Sequence, residues 1–146
     1  ARLAAAHELR VLGTGSPAKR EQAEEAGARF VDYTAQDVVT AVRELVPEGL
    51  AGIVDLVGGA SLRTVAPLAR EPHTVISVGD QSVSELGGRF VERRLDRANL
   101  ARSARLALDG VLAPVITAVH PLSDAPAALA TVEHGHAAGK VVIKVT

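Results

Sequence analysis

Short apolar segments alternate with helix-like segments along the chain, and this alternation restricts the fold more than any other feature of the sequence. The segments at 52–58 and 73–79 are apolar almost throughout, which is typical of strands that are buried on both faces of a sheet. Helices of about ten residues between such strands indicate parallel pairing, so the predicted fold is α/β with a doubly wound parallel sheet. We predict strands at 9–13, 28–33, 52–58, 73–79, 88–93 and 140–145.

Capping residues indicate where several of the predicted helices begin and end. Ser16 and Pro17 supply an N-cap and a first-turn proline, and Gly27 is a typical C-terminal glycine. The stretch from Thr34 to Asp37 has the pattern of a capping box that opens the next helix. Further helices are predicted over 61–69, over 97–108 and from near Ser123.

Composition excludes several classes of function. The chain has 146 residues, 47% of them hydrophobic, which is enough for one globular domain with a core. Its net charge of −1 gives no electrostatic reason to expect a nucleic-acid partner, and it holds no apolar run long enough to span a bilayer. The absence of cysteine excludes disulfides and thiolate metal sites, and the charges near the N-terminus argue against a secretory signal. We therefore expect a cytoplasmic protein with no nucleic-acid and no membrane partner.

Four motifs follow one another in a fixed order along the chain. They are RVLGTGSPAKREQAEEAGARFVDYT, GIVDLVGGASL, HTVISVGD and EHGHAAGKVVIKV. In this order they resemble the C-terminal, coenzyme-binding part of the medium-chain dehydrogenase/reductases, in particular their zinc-independent quinone oxidoreductase branch. The resemblance covers all of 1–146, and 111–146 is similar to the segment that packs back on the catalytic domain. It implies a Rossmann-like sheet that binds NADPH, and hydride transfer to a small-molecule quinone or α,β-unsaturated carbonyl (an enone).

The resemblance also implies parts that precede this chain in the family. A member has a catalytic domain, a first strand and a glycine-rich turn before the helix whose end resembles ARLAAAHEL. That turn brings backbone N–H groups to the pyrophosphate of the cofactor. We therefore interpret the chain as an incomplete Rossmann domain, a fragment that is inactive by itself. A naturally short chain that serves as a non-catalytic assembly or binding module is the alternative.

The strand order of the family gives a direct expectation for the sheet. The missing strand is central, which leaves two strands on one side of it and three on the other. We expect the strands at 9–13 and 52–58 either to pair directly or to lie about 9.6 Å apart, twice the spacing of neighbouring strands. Separate sheets, or helices in place of these strands, would remove the basis for the whole assignment. The free edge near Arg89–Glu92 is the one that the family uses for homodimers, so a homodimer is expected there.

The end of the first strand indicates which cofactor is expected. In a dinucleotide-binding unit an acidic residue there binds the ribose hydroxyls, whereas a small residue followed by basic ones accommodates a phosphate. Thr14, Gly15 and Ser16 are followed here by Lys19 and Arg20, and no carboxylate occurs in this stretch. These residues favour NADPH. The alternative is that the two cations are only solvated surface charges.

The other candidate site residues lie at the ends of later strands. The resemblance adds Tyr33, because the family places a tyrosine near the phosphate on the adenine ribose. Ligands of open α/β sheets bind at the carboxyl ends of the strands, where glycine lets the backbone approach closely. The candidates at two such ends are Val57, Gly58, Val78, Gly79 and Asp80, with ordinary turns as the alternative. Asp55 is expected to bind neighbouring backbone and is given no catalytic role.

No metal site and no catalytic residue are predicted. The histidines are scattered, there is no cysteine, and no H-E-x-x-H pattern occurs, so zinc is not expected. A serine hydrolase is excluded in the same way, since no G-x-S-x-G motif is present. Arginines at 89, 93, 94 and 97 alternate with acidic residues, which indicates a solvated, salt-bridged face.

Overall fold

The computed structural model describes residues 1–92, 94, 96–134 and 139–145, and helices and strands alternate along most of this length. The helices are α1 (Arg2–Ala5), α2 (Arg20–Glu25), α3 (Val38–Leu45), α4 (Gly59–Val65), α5 (Arg97–Leu108) and α6 (Ala125–Glu133). The strands are β1 (Val11–Gly15), β2 (Ala28–Asp32), β3 (Ile53–Asp55), β4 (Val75–Ser77), β5 (Arg89–Phe90), β6 (Ile116–Pro121) and β7 (Lys140–Lys144). Short 3₁₀ turns lie at Pro17–Lys19, Ala66–Leu68, Pro72–Thr74, Gln81–Leu86 and Leu122–Asp124.

Every strand pair that the structure describes is parallel, so the predicted α/β class with parallel strands is confirmed. β1 pairs with β2, β3 pairs with β4, β4 pairs with β5, and β6 pairs with β7. Parallel neighbours need a crossover connection, and α2 and α4 supply it within the first two groups. The pairs form three separate hydrogen-bonded ladders of two, three and two strands.

The first two ladders are not joined to each other. Among the described residues β1 pairs only with β2, and β3 pairs only with β4. Direct pairing of β1 with β3 is therefore wrong. The expectation that separate sheets would remove the basis for the assignment is also wrong as a criterion, because strands about 9.6 Å apart would share no hydrogen bonds and would themselves form separate ladders. The strands β1 to β5 are divided into one ladder of two and one of three, as expected. The distance between β1 and β3 stays a prediction.

The best-packed core lies between α4 and the three-stranded ladder. Leu62 of α4, Val75 of β4 and Val83 are fully buried and form one hydrophobic cluster. Ile53 and Phe90, from the two strands that flank β4, pack against this cluster. Burial of branched aliphatic side chains stabilises the fold by about 1.5–3 kcal/mol for each one, so this half of the sheet is well anchored.

Helix α3 begins at a different cap from the predicted one. The side chain of Asp37 accepts a hydrogen bond from the Thr40 N–H at 2.8 Å, and Asp37 is therefore the N-cap. The capping box that starts at Thr34 is wrong, because Thr34 donates to Asp32 instead. Helix α3 buries Ala41 and Val42, and it contacts both β2 and α4.

The strands of the second ladder are shorter than their apolar segments suggest. β3 ends at Asp55 and β4 ends at Ser77, although the apolar segments continue to 58 and 79. The reason lies in these two side chains, which accept hydrogen bonds from the N–H groups that follow and turn the chain away from the ladder. β5 covers only the start of the predicted strand at 88–93, of which residue 93 lies outside the described residues.

β6, which pairs with β7, is not among the predicted strands. The pairing has an irregularity between Ile116 and Ala118. Ile116 and Val119 are exposed, so β6 lacks the burial that makes a strand easy to predict. The part of the chain at 111–146 thus forms a small ladder of its own, with 135–138 and 146 outside the described residues.

Candidate functional site

The first group of candidate residues lies where β1 ends. Thr14 and Gly15 are the last two residues of β1, and Gly15 pairs with Asp32 at the end of β2. Ser16 occupies the N-cap position of the following 3₁₀ turn, as predicted, although no side-chain capping bond is seen there in the described structure. The Tyr33 N–H donates to the Gly15 carbonyl at 3.4 Å, and the Tyr33 side chain is exposed. The ends of both strands therefore form one continuous edge.

Gly15 allows two side chains to approach the end of β1. A Cβ atom at this position would lie 3.0 Å from Cε2 of Phe30 and 3.4 Å from Cβ of Lys19. The first distance is shorter than a normal contact, so a side chain at position 15 would displace the ring. Because Gly15 has no side chain, the Phe30 ring and the aliphatic part of Lys19 can pack against the end of β1. Lys19 is accordingly half-buried.

Arg20 is held by an aromatic ring and a carboxylate. Its Cζ atom lies 4.6 Å from the centre of the Phe30 ring, within the range of a cation–π interaction. Its Nη1 atom lies 3.4 Å from Oε1 of Glu24, one helical turn later. Arg20 is therefore a half-exposed cation with two side-chain contacts at the start of α2, and the alternative that it is only a solvated surface charge stays open.

Asp32 is a charged group at this edge that the sequence analysis missed. Its Oδ1 atom accepts hydrogen bonds from the Thr34 hydroxyl at 2.7 Å and from the Thr34 N–H at 2.9 Å. These two bonds from Thr34 hold the pKa of Asp32 below its ordinary value, and the charge of Arg20 lowers it further. The acidic residue was visible in the sequence at the end of the second strand, but its place beside Gly15 depends on the strand register.

A buried carboxylate and hydroxyl connect the ends of β3 and β4. The Ser77 hydroxyl donates to Oδ2 of Asp55 at 2.6 Å, and both residues are buried. The Gly58 N–H donates to the two Asp55 oxygens at 3.0 and 3.1 Å, and the Val57 N–H donates to Oδ1 at 3.2 Å. The prediction that Asp55 binds neighbouring backbone is therefore confirmed.

Ser77 and Asp80 extend this network across both turns. The Ser77 hydroxyl oxygen accepts from the N–H groups of Gly79 at 3.1 Å and Asp80 at 2.9 Å. The Asp80 carboxylate accepts from Gly59 at 2.7 Å and from Ser82 at 2.8 Å. The N–H of Gly59, followed by the contacts from Ser82, lowers the pKa of Asp80. The turn after β3 and the turn after β4 are thus fixed to each other.

The second group of candidate residues has its backbone donors occupied. The N–H groups that donate within this network belong to Val57, Gly58, Gly59, Gly79, Asp80 and Ser82. These donors are not available for a phosphate. The edge offers apolar side chains instead, since Val57 and Val78 are exposed, and a cavity of about 650 Å³ beside Val78 is lined by Phe90, Val91 and Glu92.

Comparison with known proteins identifies the family. Residues 26–143 match the model of a family described as zinc-binding dehydrogenase. The chain belongs to the zinc-binding dehydrogenase family. The curated Synaptic vesicle membrane protein VAT-1 of Tetronarce californica is 38% identical over 55 residues, which are 37% of this chain and 14% of that protein. Within the described residues no helix has the length and apolar character needed to cross a membrane.

Solved structures of similar fold extend the likeness to nearly the whole chain. The quinone oxidoreductase from Coxiella burnetii superposes with a TM-score of 0.80 at 22% identity, over 99% of this chain and 48% of that one. An NAD-dependent alcohol dehydrogenase superposes with a TM-score of 0.81 at 25% identity, over 99% of this chain and 46% of that one. The chain thus spans about half the length of each of these two proteins. The resemblance to a Rossmann-like, C-terminal coenzyme-binding part is confirmed.

The zinc in the name of the zinc-binding dehydrogenase family does not fit the residues seen here. No group of three or more His, Asp or Glu side chains that could hold a metal ion occurs among the described residues. Cysteine, the other common zinc ligand, is absent from the sequence. We therefore derive no step of the chemistry through a metal ion in this chain.

The pKa values of four aspartates allow a prediction of how the stability of this zinc-binding dehydrogenase chain depends on pH. Burial tends to raise the pKa of Asp55, but hydrogen bonds from Ser77, Gly58 and Val57 outweigh it, so the pKa of Asp55 is lowered. The pKa values of Asp32, Asp37 and Asp80 are lowered as well. The folded state then binds fewer protons than the unfolded state. The contribution of these carboxylates to the stability of the folded state is fully present above their unfolded-state pKa of about 4. This contribution is lost as the pH falls through their pKa values in the folded state.

Urea unfolding measured in steps from about pH 6 to pH 3 checks this expectation. The free energy of unfolding should decrease steadily below about pH 4.5. A parallel series in high salt separates these local effects from the net positive charge that accumulates in acid. A free energy that stays constant down to pH 3 would contradict the assigned carboxylate contacts.

Proposed function

We propose that this chain is the coenzyme-binding part of an NADPH-dependent oxidoreductase that transfers a hydride to a quinone or an α,β-unsaturated carbonyl. The observation that carries the proposal is the end of β1, where Thr14, Gly15 and Ser16 supply no acidic side chain and the cations Lys19 and Arg20 follow, with Arg20 held against Phe30. An acidic residue at this point would bind the ribose hydroxyls of NADH, whereas cations suit the additional phosphate of NADPH. Family membership supports a nicotinamide-dependent oxidoreductase in general.

The residues of the first group would hold the phosphate on the adenine ribose. Arg20 presents a planar guanidinium that can bind phosphate through two N–H groups, and Lys19 adds a second positive charge. Asp32 is the unfavourable neighbour, but its Oδ1 is engaged by Thr34 and its charge lies close to that of Arg20. Tyr33, exposed beside the same edge, would pack against the sugar or the base.

The second group would position the other end of the cofactor. The nicotinamide of bound NADPH supplies the hydride, and the protein orients it and excludes water. Val57 and Val78 provide exposed apolar side chains for a ring, while Asp55 and Ser77 keep both turns in place. The open cavity beside Val78 and Phe90 offers an apolar surface of a kind that suits a planar acceptor.

The cofactor preference tests the proposal most directly. The full-length gene product should bind NADPH more tightly than NADH in isothermal titration calorimetry. Changing Lys19→Ala and Arg20→Ala together should remove about 1–3 kcal/mol of that preference, because charge-assisted hydrogen bonds to the phosphate are lost.

The matched control changes two exposed arginines of α5, Arg102→Ala and Arg105→Ala, and so removes the same amount of charge away from the edge. This control should leave the preference unchanged. Equal affinity of the unaltered protein for NADPH and NADH would rule out the phosphate-binding role of Lys19 and Arg20.

Further parts of the proposal rest on other features of the chain. The exposed residues Ile116 and Val119 of the β6–β7 ladder support the view that 111–146 packs on a catalytic domain.

β5 is paired only with β4 in the described structure, and this free edge at Arg89–Phe90 supports a homodimer. We also retain the expectation of a zinc-independent member, which the resemblance of the four motifs implies. We retain the expectations of a cytoplasmic location and of no turnover by the chain alone.

A non-catalytic binding module is the second candidate, and the exposed apolar side chains in and just after β3 favour it. Val54 of β3 and the following Leu56 and Val57 are exposed by 65%, 70% and 77% and form an uncovered apolar face at the edge of the three-stranded ladder. Such a face would bind another polypeptide. The two candidates differ in what they require, because a binding module needs no nicotinamide cofactor and would show no preference for NADPH.

A further inference from the structure

The surroundings of Arg20 contain two groups that have no assigned role in cofactor binding, namely Phe30 and Glu24. Phe30 is a residue of β2 that is only 8% exposed, so its ring cannot move far. Glu24 lies on the surface of α2, and the side chains of Arg20 and Glu24 are 50% and 51% exposed. The arginine thus has one rigid partner and one mobile partner.

We infer that Phe30 and Glu24 are positioning residues that set the selectivity for a ribose phosphate through Arg20. The inference rests on the proposed function. Phe30 holds the guanidinium at the end of β1, with the Arg20 Cζ atom 4.6 Å from the centre of its ring, and this contact requires none of the arginine N–H groups. Glu24 occupies one of those N–H groups when no phosphate is present and releases it to a bound phosphate.

Physical magnitudes support this division of roles. An exposed ion pair between neighbouring turns of a helix is weak, so a dianionic phosphate displaces Glu24 easily but with a measurable cost in affinity. The contact with Phe30 does not compete with the phosphate, because the uncharged ring offers the arginine no carboxylate or other strong acceptor. Gly15 completes the arrangement, since a Cβ there would lie 3.0 Å from the ring and would shift it.

The first experiment measures Kd for NADPH and for NADH with Glu24→Gln in the full-length gene product. Removing the competing carboxylate should tighten NADPH binding about twofold to fivefold and leave NADH binding unchanged. Glu25→Gln is the matched control, because Glu25 is the exposed next residue of the same helix and forms no ion pair with Arg20 among the described residues. An equal gain for both variants would overturn the inference, since it would reflect net charge alone.

The second variant, Phe30→Leu, keeps an apolar side chain but removes the aromatic ring. It should weaken NADPH binding about twofold to fivefold without affecting NADH. Should this buried change disturb folding, Glu24→Gln still decides the question because it lies on the surface. Equal weakening of NADPH and NADH would overturn the positioning role of Phe30.

Arg20→Ala separates this inference from the proposed function. In that background Glu24→Gln should have no effect on NADPH binding, because the group through which it acts is absent. If Arg20→Ala weakens NADPH binding but Glu24→Gln alone changes nothing, only this inference is overturned. If Arg20→Ala also changes nothing and NADPH is not preferred, the proposed function is overturned, and the inference with it.

Discussion

Gly58→Ala is expected to lower the free energy of unfolding by about 2–5 kcal/mol. Gly58 has φ 80° and ψ −165°, a region of backbone conformation that is essentially restricted to glycine. A Cβ atom there would also lie only 2.7 Å from Cβ of Asp80, the residue that fixes the neighbouring turn. Backbone strain and overpacking therefore act together at one position.

The adjacent glycine provides the matched control for this change. Gly59 has φ 61°, and a Cβ atom there would meet nothing within 4 Å. Gly59→Ala should therefore cost only the conformational penalty, about 1–2 kcal/mol. Urea denaturation of both variants gives the comparison. Equal losses for the two variants would show that contact with Asp80 contributes nothing, and the close approach of the two turns would have to be abandoned.

Asp55→Asn is expected to cost about 2–4 kcal/mol although the side chain keeps its size. The amide oxygen can still accept from Val57 and Gly58, but the amide nitrogen then faces the Ser77 hydroxyl and the Gly58 N–H. The Ser77 oxygen already accepts two hydrogen bonds, from Gly79 and Asp80. The substitution thus leaves buried donors facing one another without an acceptor.

Asp109→Asn is the control, since this aspartate at the end of α5 is exposed and its loss removes the same charge. It should change the free energy of unfolding by no more than about 0.5 kcal/mol. Thermal or urea unfolding of both variants measures the difference. A loss below about 0.5 kcal/mol for Asp55→Asn would mean that the network with Ser77 does not contribute to stability.

Local signals in the sequence were sufficient for those elements whose ends are fixed by nearby residues. The helix over 97–108 was predicted with its observed bounds, and its N-terminus is fixed by Asp96, whose side chain accepts from the Asn99 N–H at 2.7 Å. The same is true of Asp55, for which the cost of burying an unpaired carboxylate predicted the backbone contacts. In each case the partners lie within three residues of each other.

Features that depend on strand register could not be predicted in this way. Asp32 stands beside Gly15 only because β1 and β2 pair in one particular register, and Phe30 reaches Arg20 for the same reason. Thr34 is an error of the opposite kind, in which a local pattern predicted a contact that does not form. Its sequence context fits a capping box, but its hydroxyl donates to the carboxylate of Asp32. β6 was missed because its exposed apolar residues carry no sign of a buried face.

The separation of the first two ladders has a mechanical consequence. No backbone ladder joins β1 to β3 in the described structure, and helix α3 contacts β2 on one side and α4 on the other. Helix α3, which buries Ala41 and Val42, thus links the two ladders through side-chain packing where no strand pairing does so. Under the proposed function, a dinucleotide that contacted the strand ends of both ladders would add a second link between them, and binding of the ligand would reduce their relative motion.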